Sequence, residues 1–404
     1  MKVLALLLVL GAGGPVVGQD GEVEPLAAQI TLHSDVLDED RVVIVRTPGG
    51  YASTDRRYPV LYMTDGPGHF LHTIASIEYL ARDNRMPEMI VVAIGNVDRT
   101  RDLTPTRGHT MTPEGQSVEH ATSGGADDFL RFIETELIPA IERNFRTQPY
   151  RVFAGHSLGG LFSIHAFASR TELFDAYIAV SPSLHWDDKL ALRETEELIK
   201  NRKGKELKKT VFVSLGDEGD QMQANFEELQ RILERNRSEG FEWKAMQFED
   251  EDHLSVVLPS HYYGLRAIYA AWPLPRDPQT EDYLLDLDGL AKHYENLSGR
   301  YGYEIPVPER VINRIGYQEL ARLRFDEAIE IFDFNVKAHP ASPNAYDSLG
   351  EAYEKAGRLK PAKANYEKAA SVAKKQGSPA QPVYAQNLER VVQQLKKQAK
   401  TDAR

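Results

Sequence analysis

Between residues 42 and 248 the chain alternates short β-rich apolar runs with longer stretches whose apolar residues recur at helical spacing. The runs are VVIVRT (42–47), YPVLYM (58–63), MIVVAI (89–94), RVFA (151–154), AYIAVS (176–181), TVFVSL (210–215) and WKAMQF (243–248). Several are apolar throughout, as a strand must be when both of its faces are buried. The intervening stretches include 220–236 and 126–145, where Phe129, Ile133, Leu137 and Ile141 return every fourth residue. Strand and helix in alternation predict an α/β domain over 28–275, a doubly wound and mostly parallel sheet with helices on both faces.

After AAWPLPRDPQT (270–280) the pattern changes. The β-branched runs stop and Ala, Glu, Lys, Leu and Tyr take over, which predicts a domain boundary and a small all-α domain over 281–404. From Pro343 the tail fits the 34-residue tetratricopeptide pattern at Tyr346, Leu349, Gly350, Tyr353, Ala362, Tyr366 and Ala369. One period earlier Gly316, Ala328, Phe332 and Pro340 fit the same frame in part, and 387–397 reads as a closing helix. About two such repeats are too few to bury a core alone, so the tail is expected to pack on the domain before it. A stabilising cap is its expected role, and a groove for a protein partner is the alternative.

Composition narrows the function. Sixty acidic against 48 basic side chains give a net charge of -12, with no basic stripe, which disfavours a nucleic-acid partner. The absence of cysteine excludes disulfides, thiolate metal sites and a cysteine nucleophile. Lys2, the apolar run Val3 to Leu10 and the small residues that follow predict a cleaved secretory signal over 1–18. That run is too short to span a membrane, so a periplasmic or secreted protein is expected.

Candidate chemistry centres on Gly155, His156, Ser157, Leu158 and Gly159, which spell GxSxG. The pentapeptide alone is a weak signal. Here it follows the buried run RVFA and precedes a helical face of Leu158, Leu161, Phe162 and Ala166, the strand, sharp turn and helix of a nucleophile elbow. Glycines two before and two after the serine would let strand and helix backbones approach, leaving Ser157 exposed at the sheet's end.

A serine hydroxyl needs a base to take its proton, and the chain order of this motif places an acid and then a histidine downstream. TVFVSLGDEGD supplies Asp217, Glu218 and Asp220 after one strand, and QFEDEDH supplies His253 after the next. Glu218 is the first choice of acid. Among the later histidines, His253 alone has the setting between strand and helix, whereas His185 comes too early and His261 falls further on in a helix. The oxyanion of a tetrahedral intermediate needs two backbone donors. Leu158 N–H is the expected first. YMTDGPGHF offers Gly66 or Gly68 as the second, with Gly66 preferred, since Pro67 has no N–H.

With these residues in place, the chain resembles the esterase family of α/β-hydrolases that includes the enterochelin esterases and esterase D-like enzymes. YPVLYMTDG (58–66), IGNVDRTRDLTPT (94–106), GGADDFLRFIETELIPAIERNFRT (124–147), the elbow and AVSPSLHWDD (179–188) carry the resemblance. It implies an α/β-hydrolase fold with Ser157 as nucleophile, His253 as base and a carboxylate in the 216–220 loop. The chain departs from the family at Pro67 and at His185 beside Trp186. The expected activity is exported carboxylic-ester hydrolysis through an acyl-enzyme on Ser157, without metal or organic cofactor, on a small-molecule ester. Siderophore, sugar, phenolic and thioester substrates stay open. The alternatives are acyl transfer on the same triad, or an inactive platform whose tail binds a partner.

Overall fold

The structure, a computed structural model, describes residues 16–17, 23–24, 26–111, 117–202, 205–235 and 238–402. The expected leader over 1–18 lies almost wholly outside the described residues. The chain divides into two compact units, Met1–Pro273 and Leu274–Arg404.

The first unit is built on one eight-stranded sheet. Its strands are β1 (Ala28–Ser34), β2 (Glu39–Arg46), β3 (Tyr58–Met63), β4 (Ile90–Ile94), β5 (Thr147–His156), β6 (Ala176–Val180), β7 (Thr210–Leu215) and β8 (Glu242–Gln247), in spatial order β8-β7-β6-β5-β3-β4-β2-β1. β2 runs antiparallel to both neighbours, and the pairs from β4 to β8 are parallel. This is the α/β-hydrolase sheet. The strands β3, β4, β6 and β7 are buried along their whole length, which is why their sequences read as unbroken apolar runs. At the sheet's edge β1 instead alternates polar with apolar (AQITLHS) and is half exposed, a weaker signal that left it out of the predicted set.

Helices cover both faces: α1 (Gly66–Arg82), α2 (Arg99–Leu103), α3 (126–144), α4 (Leu158–Ser169), α5 (Trp186–Asn201), α6 (Asp220–Glu234) and α7 (Val257–Ile268). Within α3 the segment Ile133–Leu137 takes the wider π-helical turn. A strict four-residue repeat drifts around an ordinary 3.6-residue helix, and the wider turn absorbs that drift. Phe129, Ile133, Leu137 and Ile141 accordingly all stay buried.

Register brings the functional turns together. His156 pairs with Val180, Val180 with Ser214, and Leu215 with Gln247. The segments leaving β5, β6, β7 and β8 therefore emerge side by side at the carboxyl edge of the sheet, where open α/β sheets hold their ligands.

Among its described residues the second unit has six helices, α8 (Leu287–Tyr301), α9 (Glu309–Ala321), α10 (Phe325–Ala338), α11 (Pro343–Lys355), α12 (Leu359–Gln376) and α13 (Gln381–Asp402). A Cβ at Gly316 would lie 2.5 Å from the Phe332 ring, and one at Gly350 would lie 2.8 Å from the Tyr366 ring. The same glycine-on-aromatic helix contact thus recurs one 34-residue period apart. The last helix closes the array through polar contacts: Arg390 and Gln394 on Glu354, and Asn387 on Asp347.

Candidate active site

Ser157 sits between β5 and α4 with φ 60° and ψ -114°, a strained backbone conformation that side chains rarely adopt. The flanking glycines make the turn possible. A Cβ on Gly155 would lie 2.1 Å from the Gly159 carbonyl oxygen, and one on Gly159 would lie 2.4 Å from Thr64 Oγ1. Strand, helix and the turn after β3 therefore meet at one point. The Ser157 N–H is held by the Val180 carbonyl at 2.9 Å, and its hydroxyl lies 3.4 Å from that of Ser183.

Glu218 leaves the end of β7 and points back over β6. Its Oε1 accepts from the Ser181 hydroxyl and from Gly216 N–H at 3.1 Å, and its Oε2 meets His253 Nδ1. Burial alone would raise this carboxyl, but the hydrogen bonds from His253, Ser181 and Gly216 outweigh it and hold the pKa below its ordinary value. The Glu218 side chain is 5% exposed and that of His253 39%, so the imidazole faces solvent while its carboxylate partner does not. Asp217 turns its N–H to the Glu251 carbonyl, and Asp220 opens α6. Of the three carboxylates in this loop, Glu218 is therefore the one against the imidazole.

Ser157, Ser183, His185, Asp217, Glu218, Met222, Asp252 and His253 line one cavity of about 560 Å³. That volume falls within the usual range for small-molecule pockets. Trp186 donates its ring N–H to the Thr106 carbonyl at 3.2 Å, and Thr106 Oγ1 donates to Asp187 at 2.8 Å. These contacts tie the 182–190 segment beside the cavity to the turn that follows α2.

Two helix N-termini meet beside the serine. Leu158 is the first residue of α4, and Gly66 is the first of α1, after Asp65 in the left-handed conformation. Gly68 N–H is engaged by the Asp65 carbonyl at 3.0 Å, which distinguishes it from Gly66. A side chain at Gly66 would press on Ala93 at 2.8 Å. The amides at a helix start carry partial positive charge suited to a developing anion.

Several residues of the site have no individual role readable from the sequence pattern. Ser181 bonds Glu218, Ser183 faces Ser157, and Arg99 pairs with Asp65 at 2.6 Å. Ser181 is the first residue past an apolar run and Ser183 the third, unremarkable places for a serine in any parallel sheet.

Residues 34–264 match the family model described as "Putative esterase". The ferri-bacillibactin esterase BesA of Bacillus subtilis is 30% identical over 219 residues, covering 50% of this chain and 75% of that protein. The siderophore triacetylfusarinine C esterase of Aspergillus fumigatus is 30% identical over 250 residues, covering 53% and 82%. A crystal structure of an IroE-like serine hydrolase from Shewanella oneidensis superposes with a TM-score of 0.64 at 27% identity, covering 76% of this chain and 98% of that one. The chain therefore belongs to the putative esterase family, as an ester hydrolase on the α/β-hydrolase fold.

Proposed function

We propose that the protein is a serine carboxylic-ester hydrolase in which Ser157 is the nucleophile, His253 the general base and Glu218 the acid that orients it. The observation that carries this reading is the Glu218 carboxylate: fastened by Ser181 and Gly216 on one oxygen, it presents the other to His253 Nδ1 beside the cavity that Ser157 opens into. A carboxylate only accepts, so Nδ1 carries the proton and Nε2 is left free to take one. In the reaction Ser157 Oγ attacks the ester carbonyl while its proton passes to His253 Nε2. The tetrahedral oxyanion is met by the N–H groups of Leu158 and Gly66, the protonated imidazole gives its proton to the departing alcohol, and water then releases the acyl group by the same steps.

The substrate is a small-molecule ester of the siderophore type. The relatives named above for siderophore esters support this choice. Lys2 and the apolar run after it support export to the periplasm or the exterior. The helical tail, with its contact repeated at 34 residues, is read as about two tetratricopeptide-like repeats.

A burst assay with p-nitrophenyl acetate and butyrate, followed by intact mass after fluorophosphonate treatment, tests the nucleophile. Wild type should give one adduct and a burst. Ser157→Ala should lose both, and Ser157→Ala and His253→Ala should each lower kcat at least about a thousandfold while remaining folded. A well-folded wild type that shows neither turnover nor adduct would sink the reading. A panel of siderophore, acylated-sugar and phenolic esters then decides the substrate class.

A further inference from the structure

His156, the first of the two unspecified residues of the GxSxG motif, links the elbow to the loop after β8 directly and to the turn after β3 through Arg99. Its carbonyl accepts from Arg99 Nη2 at 3.0 Å. The same guanidinium holds Asp65, the residue before Gly66, through Nε at 2.6 Å and Nη2 at 3.0 Å, and Asn96 adds a bond to Asp65 at 2.7 Å. On the other side, His156 Nε2 lies 2.6 Å from the backbone carbonyl of His253. A carbonyl cannot donate, so Nε2 carries the proton and His156 is the donor.

The ring is locked in that role. His156 is 5% exposed. The His253 ring lies against it at 4.7 Å between centroids, and the His69 ring meets it edge-on at 5.5 Å. Burial first, and the neighbouring His253 next, lower its pKa to about 4, so it is a neutral single-proton donor at the pH where an imidazole base operates. Glu218 fixes the side chain of His253 at Nδ1, but a carboxylate and imidazole can pivot together if the main chain beneath them shifts. The His156 bond is made to that main chain.

We propose that His156 is a positioning residue for the base: its Nε2–H holds the His253 carbonyl and so sets the reach of the imidazole toward Ser157. Through Arg99 the same residue ties the oxyanion turn at Asp65 and Gly66 to the elbow. The inference rests on the Ser157, His253 and Glu218 reading, and the experiment below separates the two.

Full-length wild type, His156→Gln, His156→Asn and His156→Leu are compared by steady-state kinetics with p-nitrophenyl butyrate, fluorophosphonate labelling and thermal melting. A glutamine amide nitrogen reaches the place of Nε2, an asparagine nitrogen stops at the place of Nδ1, and leucine has no donor. The expected result is a kcat lowered roughly tenfold to a hundredfold in Asn and Leu, the size of loss that small misplacements cause, with KM nearly unchanged. Gln should recover most of that loss, and the Gln and Asn variants should melt alike. Equal activity in Gln and Asn, a wild-type kcat in Leu, or a loss confined to KM would overturn the inference while labelling of wild type leaves the nucleophile in place. Should Leu fail to fold, the Gln and Asn pair decides alone. A wild type that neither labels nor turns over would overturn the underlying reading, and this inference with it.

Discussion

Replacing Glu218 by glutamine asks whether the carboxylate sets the tautomer of His253. In the wild type Oε1 takes the Ser181 and Gly216 donors and Oε2 faces Nδ1. A glutamine oxygen can keep the first two, which leaves the amide nitrogen facing the ring. That nitrogen can only donate, so Nδ1 must accept and the neutral ring must carry its proton on Nε2. A protonated Nε2 cannot take the serine proton. Alanine has the opposite profile: the ring keeps its choice of tautomer, but the Ser181 hydroxyl and Gly216 N–H lose their acceptor. The two variants should therefore cross. Enforcing the wrong tautomer with geometry intact costs about 10⁴ in kcat in the serine-protease triad, and a loss of about 10³ to 10⁴ is expected of Glu218→Gln. Glu218→Ala should retain more activity yet be the less stable, since each stranded buried donor costs about 1–3 kcal/mol. At about 2–4 °C per kcal/mol in a domain of this size, each such donor corresponds to a fall in Tm of roughly 2–12 °C. Kinetics with p-nitrophenyl butyrate and calorimetry on the same preparations read both axes. If Glu218→Gln is as active as Glu218→Ala, or lies within about tenfold of wild type, the carboxylate holds the loop and does not direct the imidazole.

Gly155→Ala places a Cβ 2.1 Å from the Gly159 backbone oxygen; the backbone must open, and the variant should lose activity and melt several degrees lower, whereas normal melting and turnover would show that the elbow has slack. Stability should fall on both sides of neutrality, for opposite reasons. Burial chiefly lowers the pKa of His69, His72, His156 and His261, to about 4 for His72 and His156, so their contribution is complete above pH 6.5 and is lost as pH falls toward 4. For the 5%-exposed His156 alone that amounts to roughly 3 kcal/mol. The lowered carboxyls of Asp65 and Glu218 lose their share only at still lower pH. His165 works the other way: burial favours its neutral ring, but Glu194 and Asp127, one on each ring nitrogen, raise its pKa, so its contribution is complete below pH 6.5 and is lost as pH rises through the raised value. Thermal melts from pH 4 to 9 should show the acid slope reduced in His156→Gln and the alkaline slope absent in His165→Gln; unchanged slopes would refute the assignment. In the tail, Gly350→Val drives a side chain into the Tyr366 ring, 2.8 Å from the Cβ position. It should reduce far-ultraviolet helical signal without touching esterase kcat, and a helical signal like that of wild type would count against the repeat packing.

How much of this was legible in the sequence follows from which signals are local. The elbow is legible because its requirement is steric and confined to five residues: any side chain at 155 or 159 meets backbone or the neighbouring turn, so the glycines announce the serine. The central strands are legible because burial on both faces makes them apolar end to end, while β1, wetted along one edge, blends into loop composition. The acid is only half legible. Asp217, Glu218 and Asp220 lie within one turn of chain, and Glu218 is singled out by contacts with Ser181, beyond β6, and with His253, beyond β8. No pattern within residues 216–220 contains that information, because it is created by the register that aligns Val180 with Ser214 and Leu215 with Gln247. The same holds for His156 and Arg99. The first is one of the two unspecified positions of its motif and the second one of two arginines in DRTRD, and each acquires a task only where the turns after β3, β5 and β8 converge. Residues that perform chemistry are thus visible through the local strain they need, whereas residues that aim them depend on partners tens of positions away. A pattern of five residues points to the proposed nucleophile, and the sheet's order must be known before its proposed supports can be named.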